Sequence, residues 1–429
     1  MNRKSKNKSK RAKFRNLSMR KISKHKKDVQ HSIDLTVKKD YFRLKGKEAE
    51  SILHELAEKT FLTDWCYPNP VLPNGKELCD LLVVFDDTAI VWQLKDTKLD
   101  NNGNLKKSDV QKNQCQLLGA RRQLFELKTN ITLTNPRRGT ETFIPSEIKC
   151  IHLISAFFGD NPSMITSREK TKEYLIHTFT KRFTEIIMNE LDTIADFQRY
   201  LRDREQLSAT GTSIIVLGGE EEILAYYLKN SRCFDKFKNR DAVLLEEGIW
   251  KDLKKHPKYQ AKKQADQISY LWDGIIDRSH EGDSAQYELI ARELARHDRL
   301  NRRMLSKAFL EAHIIAHKSG KTFRRFMLME DQDVMYCFLF QDDPEPRENR
   351  KGHLTAMCHV ARSKHKEKKI VGIATEAKIR PTCSYDFALF KVHEWTEKDQ
   401  KLLEELQAKT DILKSPNKLV AHEDEYPGN

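Results

Sequence analysis

The chain has 429 residues, 77 Lys and Arg against 63 Asp and Glu, and a formal net charge of +14. At 38% hydrophobic and 33% charged residues it reads as a very polar globular protein, long enough for two or three domains around a buried core. Sixteen Gly and twelve Pro exclude a collagen-like chain, apolar strand-like runs exclude a wholly disordered one, and no apolar run approaches the ~20 residues that span a bilayer.

Thirteen of the basic residues fall in the first 27 positions, which hold no acid, so the other 402 residues carry a formal +1. The excess charge is a property of a tail, residues 1–33, which buries too little apolar surface to order itself. Through Lys4, Lys6, Lys10, Arg11, Lys13 and Arg15 it is expected to bind polyanions with strong salt dependence. The plainer reading is a solubilising leader. No apolar segment follows the basic start, so no secretory signal is expected, and the dominance of Lys without an apolar helical face argues against a mitochondrial presequence. The eight cysteines are scattered, with no C-x-x-C pair. That spacing disfavours a disulfide framework or a zinc ribbon and suits a reducing cytoplasm.

Ordered sequence is expected from about residue 40. Ala49, Leu53, Leu56 and Thr60 predict a helix over 46–61. A Pro- and Asn-rich loop covers 64–75. Two apolar runs, 78–85 and 88–94, flank Asp86-Asp87 and predict a hairpin. A polar loop at 100–108 leads to a helix over 110–127 carrying Leu117, Leu118, Ala120, Leu124 and Leu127, and then a strand over 148–157. Residues 167–206 read as helix-rich, with Leu175, Phe179, Phe183, Ile187, Leu191, Ile194 and Phe197 among the apolar positions. A short strand at 213–217 precedes Gly218-Gly219 and a helix over 220–228, and residues 285–320 read as helical again. The last hundred residues alternate: strand 334–341, helix 347–363, strands 369–374 and 385–392, helix 396–408. The pattern predicts an α/β (α+β) fold without internal repeats. Four regions follow: the tail (1–33), a first domain (40–158), a helix-rich region (160–325) and a C-terminal α/β region (326–429).

Chemistry concentrates in the hairpin. If Asp86-Asp87 is the turn, Asp80 stands opposite Gln93, and Lys95 emerges on the same face as Gln93. Leu82, Val84 and Val91 make one face of the ribbon apolar; Leu81, Val83, Phe85 and Ile90 do the same for the other. A central, doubly covered strand pair is expected, in which an Asp and a Lys are costly unless paired or bound to something. A carboxylate and an amide oxygen can hold a hard divalent cation, Mg²⁺ or Mn²⁺. The cation activates a water and polarises a phosphoryl oxygen, and the ammonium offsets developing charge.

This order of a helix with a glutamate, Asp80 at a strand, and Gln93-x-Lys95 resembles the PD-(D/E)xK nuclease superfamily, closest to the Mrr-like restriction endonucleases, in which Gln replaces the second acid. The resemblance covers about 110 residues and implies a restriction-endonuclease-like core of helix, three antiparallel strands, helix and strand. It implies Asp80 as principal metal ligand, Gln93 as substituted ligand, Lys95 as catalytic lysine and Glu50 as the helix carboxylate; Glu48 and Glu55 fit the apolar spacing less well. Gln116 or Arg121 of the following helix would touch phosphate. Two departures stand out: Cys79 replaces the Pro before the Asp, and Gln93 lowers the charge offered to a metal. The plain structural alternative is a buried Asp–Lys pair finishing a hairpin.

Other candidates carry weaker chemistry. Ile214 to Gly219 resembles a phosphate loop, but lacks G-x-G-x-x-G and is followed by three glutamates. His313 and His317 sit four apart without an evident third ligand. Asp342, Asp343, Glu345 and Glu348 read as a solvated loop and helix start. Trp65 and Tyr67 could stack on a base or pack their loop, and Cys79 reads as a small core residue.

The expectation is a cytoplasmic, metal-dependent endonuclease acting on DNA, with the resemblance suggesting a restriction or anti-phage defence role. RNA cleavage, or a non-catalytic nucleic-acid-binding protein of nuclease-like fold, are the alternatives. A homodimer is expected by analogy alone, and no membrane is expected as a partner.

Overall fold

Helix α1 spans residues 46–61 because Ala49, Leu53, Ala57, Thr60 and Phe61 recur at helical spacing, and all five are buried. Leu56 is only half-buried, since the stripe turns onto Ala57 and Phe61. The computed structural model describes residues 46–127, 131–159, 174–281, 285–342, 345–366, 368–414 and 422–427. The basic tail expected at 1–33, with its six named Lys and Arg, lies outside them.

After α1 come β1 (Cys66–Pro68), β2 (Leu81–Phe85), β3 (Thr88–Thr97), α2 (Lys107–Arg121), a small hairpin of β4 (Ile131–Asn135) and β5 (Gly139–Phe143), then β6 (Cys150–Gly159) and β7 (Ile176–Thr180). One five-stranded sheet takes the order β1-β2-β3-β6-β7, antiparallel across its first two pairings and parallel across the last two. Phe85 pairs with Thr88 and Leu81 with Trp92, the register the sequence predicts. Asp86 takes the turn at φ 51°, a left-handed conformation that Asp tolerates. The segment carrying α2 is the crossover that parallel β3 and β6 require.

Both sheet faces are covered. On one, Leu82, Ala89, Val91 and Leu153 pack with Leu117, Ala120 and Leu124. Leu127, expected on that stripe, is exposed, because the α-helix ends at Arg121 and a wider turn over Arg122–Glu126 swings the chain outward. On the other face, Leu81, Val83, Ile90, Trp92 and Ile154 join α1 and an apolar cluster that runs on to Phe387. A single apolar cluster thus links the regions that the sequence divides at 160 and 325.

The middle region holds α3 (Lys181–Glu190), α4 (Ile194–Ala209), β8 (Ser213–Val216), α5 (Glu220–Lys229), β9 (Ala242–Leu245), α6 (Ile249–Lys255), α7 (Pro257–Ala265), α8 (Tyr270–His280), α9 (Ala285–Ala295) and α10 (Arg299–Ser319). One expectation is corrected: Phe179, read as helical, lies on β7, where the sheet edge offers pairing that local pattern cannot reveal. The helical stretch expected over 285–320 is borne out and holds two helices, because the Asp298 side chain accepts from the Asn301 amide and caps a new start. Buried arginines tie the helices together. Arg299 reaches Asp192 and Asp273, each at 2.9 Å, and Arg303 reaches Asp266 at 3.0 Å and Glu423 at 2.9 Å.

The C-terminal region comprises β10 (Phe323–Met329), β11 (Val334–Gln341), α11 (Arg347–Lys364), β12 (Lys369–Glu376), β13 (Asp386–Phe390) and α12 (Glu397–Lys409). Its sheet takes the order β10-β11-β12-β13, with β11 and β12 parallel. Leu354, Met357 and Cys358 of α11 cover one face, while Phe309 of α10 packs against Phe338 and Phe340 on the other. The fold is therefore mixed α/β, as expected. All eight cysteines are free, and no helix among the described residues is long and apolar enough to cross a membrane.

Candidate functional site

Asp80 stands one residue before β2, and its amide donates to the Trp92 carbonyl at 3.2 Å, extending the hairpin ladder. That extension sets Asp80 against Gln93. Gln93 Nε2 donates to Asp80 Oδ2 at 2.5 Å, and the Leu94 amide donates to the same oxygen. Strand alternation sends Asp80, Gln93 and Lys95 to the α2 side of the sheet, with Leu82 and Val91. Asp80 is 7% exposed, Gln93 8%, and Lys95 half-buried. The three residues predicted from spacing are thus on one face at the carboxyl end of β3.

Burial pushes the Asp80 carboxyl up to about 7, against the pull of the Leu94 amide; the Glu77 and Glu50 carboxylates add to the rise, and the Gln93 bond opposes it. Glu77, exposed beside the site, is also raised, by partial desolvation and then by Glu50. Glu50 is half-buried and accepts from Asn69 Nδ2 at 3.4 Å, whereas Glu48 and Glu55 are exposed. Of the three helix glutamates, Glu50 is the one turned inward, and its carboxylate acts on Asp80 and Glu77 alike.

Three supporting residues escape sequence reading. His54 donates from Nε2 to the Asp80 carbonyl at 3.0 Å and lies one turn after Glu50, the sole signal that could have found it. Asn113 of α2 is wholly buried; its Nδ2 donates to the Gln93 carbonyl at 3.2 Å, and its Oδ1 has no partner. Ser155 is paired with Gln93 across β6, and its buried Oγ is likewise without a partner. Two orphaned oxygens therefore border Gln93, and buried polar atoms of this kind call for a water or an ion. A cavity of about 270 Å³ opens between Gln93 and α2, lined also by Lys76, Glu77, Gln116 and Gln123. The donor set is rich in oxygen and crowded with carboxylates, which fits a hard divalent cation.

Arg121, expected at phosphate, has other contacts here. It pairs with Glu126 at 2.6 Å and lies 3.8 Å over the Tyr174 ring, so its guanidinium is committed elsewhere. Gln116 does line the cavity. Trp65 is fully buried and donates to Glu288 at 3.1 Å, and Tyr67 is buried against Glu141, so both pack the loop. Burial raises the Cys79 thiol well above its ordinary value, leaving an inert core residue.

The other candidates are structural too. Glu220 pairs with Arg204, Glu221 with Arg182, and Glu222 accepts from the Gly248 and Trp250 amides. A carboxylate oxygen of Glu221 would lie 2.1 Å from a Cβ at Gly219, so that helix start is already filled by negative charge. His313 stacks on Phe340 at 4.9 Å, and His317 accepts from the Ile379 amide at 3.3 Å. Asp342 accepts from the Thr322 hydroxyl at 2.5 Å. No family model matches the chain, and neither does any curated protein or solved structure.

Proposed function

We propose that this protein is a metal-dependent nuclease whose centre is Asp80, Gln93, Lys95 and Glu50. The observation that carries the reading is the Asp80–Gln93 side-chain bond on the sheet face that strand alternation also gives to Lys95, with the Asp80 carboxyl raised to about 7 by burial and by the Glu77 and Glu50 carboxylates. Asp80 and Glu77 are each raised by neighbouring carboxylates, a repulsion that a bound cation relieves. The succession of α1, three antiparallel strands, α2 and a parallel strand supports the same reading, because it is the order the PD-(D/E)xK resemblance implies.

Asp80, Gln93 and Glu50 would hold Mg²⁺ or Mn²⁺. Bound there, such a cation lowers the pKa of a ligated water and polarises a phosphoryl oxygen. Gln93 would offer its amide oxygen in place of the Nε2–H bond it now donates to Asp80. Asn113 holds the Gln93 backbone and His54 the Asp80 backbone, so both ligands sit on a fixed frame. The Lys95 ammonium offsets the charge that builds on the phosphate during in-line attack.

The choice of DNA, and a restriction or anti-phage role, rests on the resemblance. Gln93 also supports a second reading, a non-catalytic nucleic-acid-binding protein, since its amide already satisfies one Asp80 oxygen. The test is cleavage of plasmid DNA and total RNA with Mg²⁺, Mn²⁺ or EDTA by wild type, Asp80→Ala and Lys95→Ala, with circular dichroism as the folding check. Metal-dependent cutting lost in both folded variants is expected, and the polymer cut identifies the substrate. Equal behaviour of wild type and variants overturns the catalytic reading.

A further inference from the structure

A second cluster lies on the other side of the same sheet. His152 on β6 shares its face with Ile154 and Ala156, and these pack in the cluster opposite α2. His177 on β7 pairs in register with Ile154, so it is the diagonal neighbour of His152. Glu205 of α4 comes down over both. Its Oε1 accepts from His152 Nδ1 at 2.7 Å and from His177 Nε2 at 3.0 Å. The imidazoles are 0% and 1% exposed, while the Glu205 side chain is 28% exposed. Nothing in the sequence spacing shows this, because the three residues come from two strands and a helix.

We infer that His152, His177 and Glu205 form a binding site for a borderline divalent cation of the zinc class, separate from the Asp80 centre. Four observations support it. First, the three donor atoms lie within 4.8 Å of one another, so small side-chain adjustments bring them to the ~2.0–2.2 Å that zinc requires of nitrogen and carboxylate oxygen. Second, two imidazoles and a single carboxylate are a nitrogen-rich donor set, suited to Zn²⁺ or Co²⁺ over Mg²⁺. Third, the Cys150 thiol lies 3.4 Å from His152 Nε2, the ring nitrogen not engaged with Glu205. Once a cation displaces the Nδ1 proton now donated to Glu205, the ring keeps its other proton on Nε2 and the sulfur accepts it, the arrangement by which outer partners orient metal-bound histidines. Fourth, the partial exposure of Glu205 leaves an approach from solvent, and three protein ligands leave a fourth position open to water.

The bonds Glu205 now makes to both rings are what an ion must displace, and burial of each ring makes that pairing strong. The competing description is a metal-free latch fastening α4 to the sheet. The two differ in a measurement. Full-length protein stripped with chelator would be titrated with Co²⁺, followed by visible absorption, and with Zn²⁺ in competition with a chromophoric chelator. The inference expects one equivalent bound, with Co²⁺ absorption bands of a nitrogen- and oxygen-ligated site, unaffected by millimolar Mg²⁺ and retained in Asp80→Ala. Glu205→Gln keeps the hydrogen-bonding shape and is expected to weaken binding at least tenfold. Cys150→Ser, which leaves all three ligands, is expected to weaken it by a smaller factor. His177→Gln, checked for folding by circular dichroism, is expected to abolish the Co²⁺ spectrum. A chain that binds neither ion at micromolar concentration, or binds them equally in the folded Glu205→Gln and His177→Gln variants, overturns the site and leaves the latch.

Discussion

Asp80→Asn is the most informative single change in this molecule. The carboxyl is raised to about 7 chiefly by burial, and its ordinary value is near 4. A group whose folded pKa is raised holds its proton in the folded state after the unfolded chain has lost it. Its contribution to stability is therefore full below pH ~4 and is lost as pH climbs to 7 and beyond. Each pH unit between those limits is worth about 1.4 kcal/mol, so ionised Asp80 costs the metal-free fold about 4 kcal/mol at pH 8. Asn carries no charge at any pH. It still accepts from the Leu94 amide, and Gln93 can turn its oxygen toward the new Nδ2–H. The variant is expected to be more stable than wild type in EDTA at pH 8, by up to about that amount, and by only about 1.5 kcal/mol at pH 5, one unit above the ordinary carboxylate value. Wild type recovers stability when Mg²⁺ is added at pH 8, and the variant does not. Thermal and urea unfolding of both proteins from pH 5 to 8, with EDTA or Mg²⁺, measures this. A wild-type minus variant difference that stays flat across that range would refute the assignment of a strained, metal-seeking carboxylate.

Other expectations follow from the same structure. Gln93→Glu adds a fourth carboxylate beside Asp80, Glu50 and Glu77; it is expected to tighten Mg²⁺ binding in calorimetry while lowering the melting temperature in EDTA. Among the described residues Arg299→Ala leaves buried Asp192 with the Tyr270 hydroxyl and no cation, and Asp273 with Arg302 alone, and it is expected to destabilise by about 3–5 kcal/mol in urea unfolding. Gly372→Ala drives a Cβ to 2.6 Å from Cys358 Sγ and 2.9 Å from Leu354, in a sheet that cannot yield; a loss of about 1–3 kcal/mol is expected, with Cys358→Ala in the same chain restoring part of it. Deleting residues 1–27 removes thirteen cations. It should flatten the dependence of nucleic-acid affinity on salt, measured by fluorescence anisotropy, and leave the melting temperature unchanged.

How much of this was legible beforehand depends on how local each signal is. The β2–β3 hairpin could be read outright: two apolar runs and a two-residue Asp-Asp turn fix the pairing, and strand alternation then brings Asp80, Gln93 and Lys95 to one face. The apolar spacing that the resemblance implies favours Glu50 over Glu48 and Glu55, and Glu50 is the one of the three that is half-buried. Elements with strong periodicity of their own, such as β11 and α11, fell within a residue or so of their predicted limits. Tertiary structure decided the rest. β1, β7 and β9 are short and hold their shape by pairing with distant strands, so their own residues carry too little pattern to announce them. Arg121 looked free in sequence and is bound by Glu126 and by Tyr174, 53 positions away along the chain. Asn113, Ser155 and His54 matter only through what they touch across the fold. The His152, His177 and Glu205 cluster is the extreme case: two strands and a helix meet there, and nothing short of the packed sheet could have brought their donor atoms together.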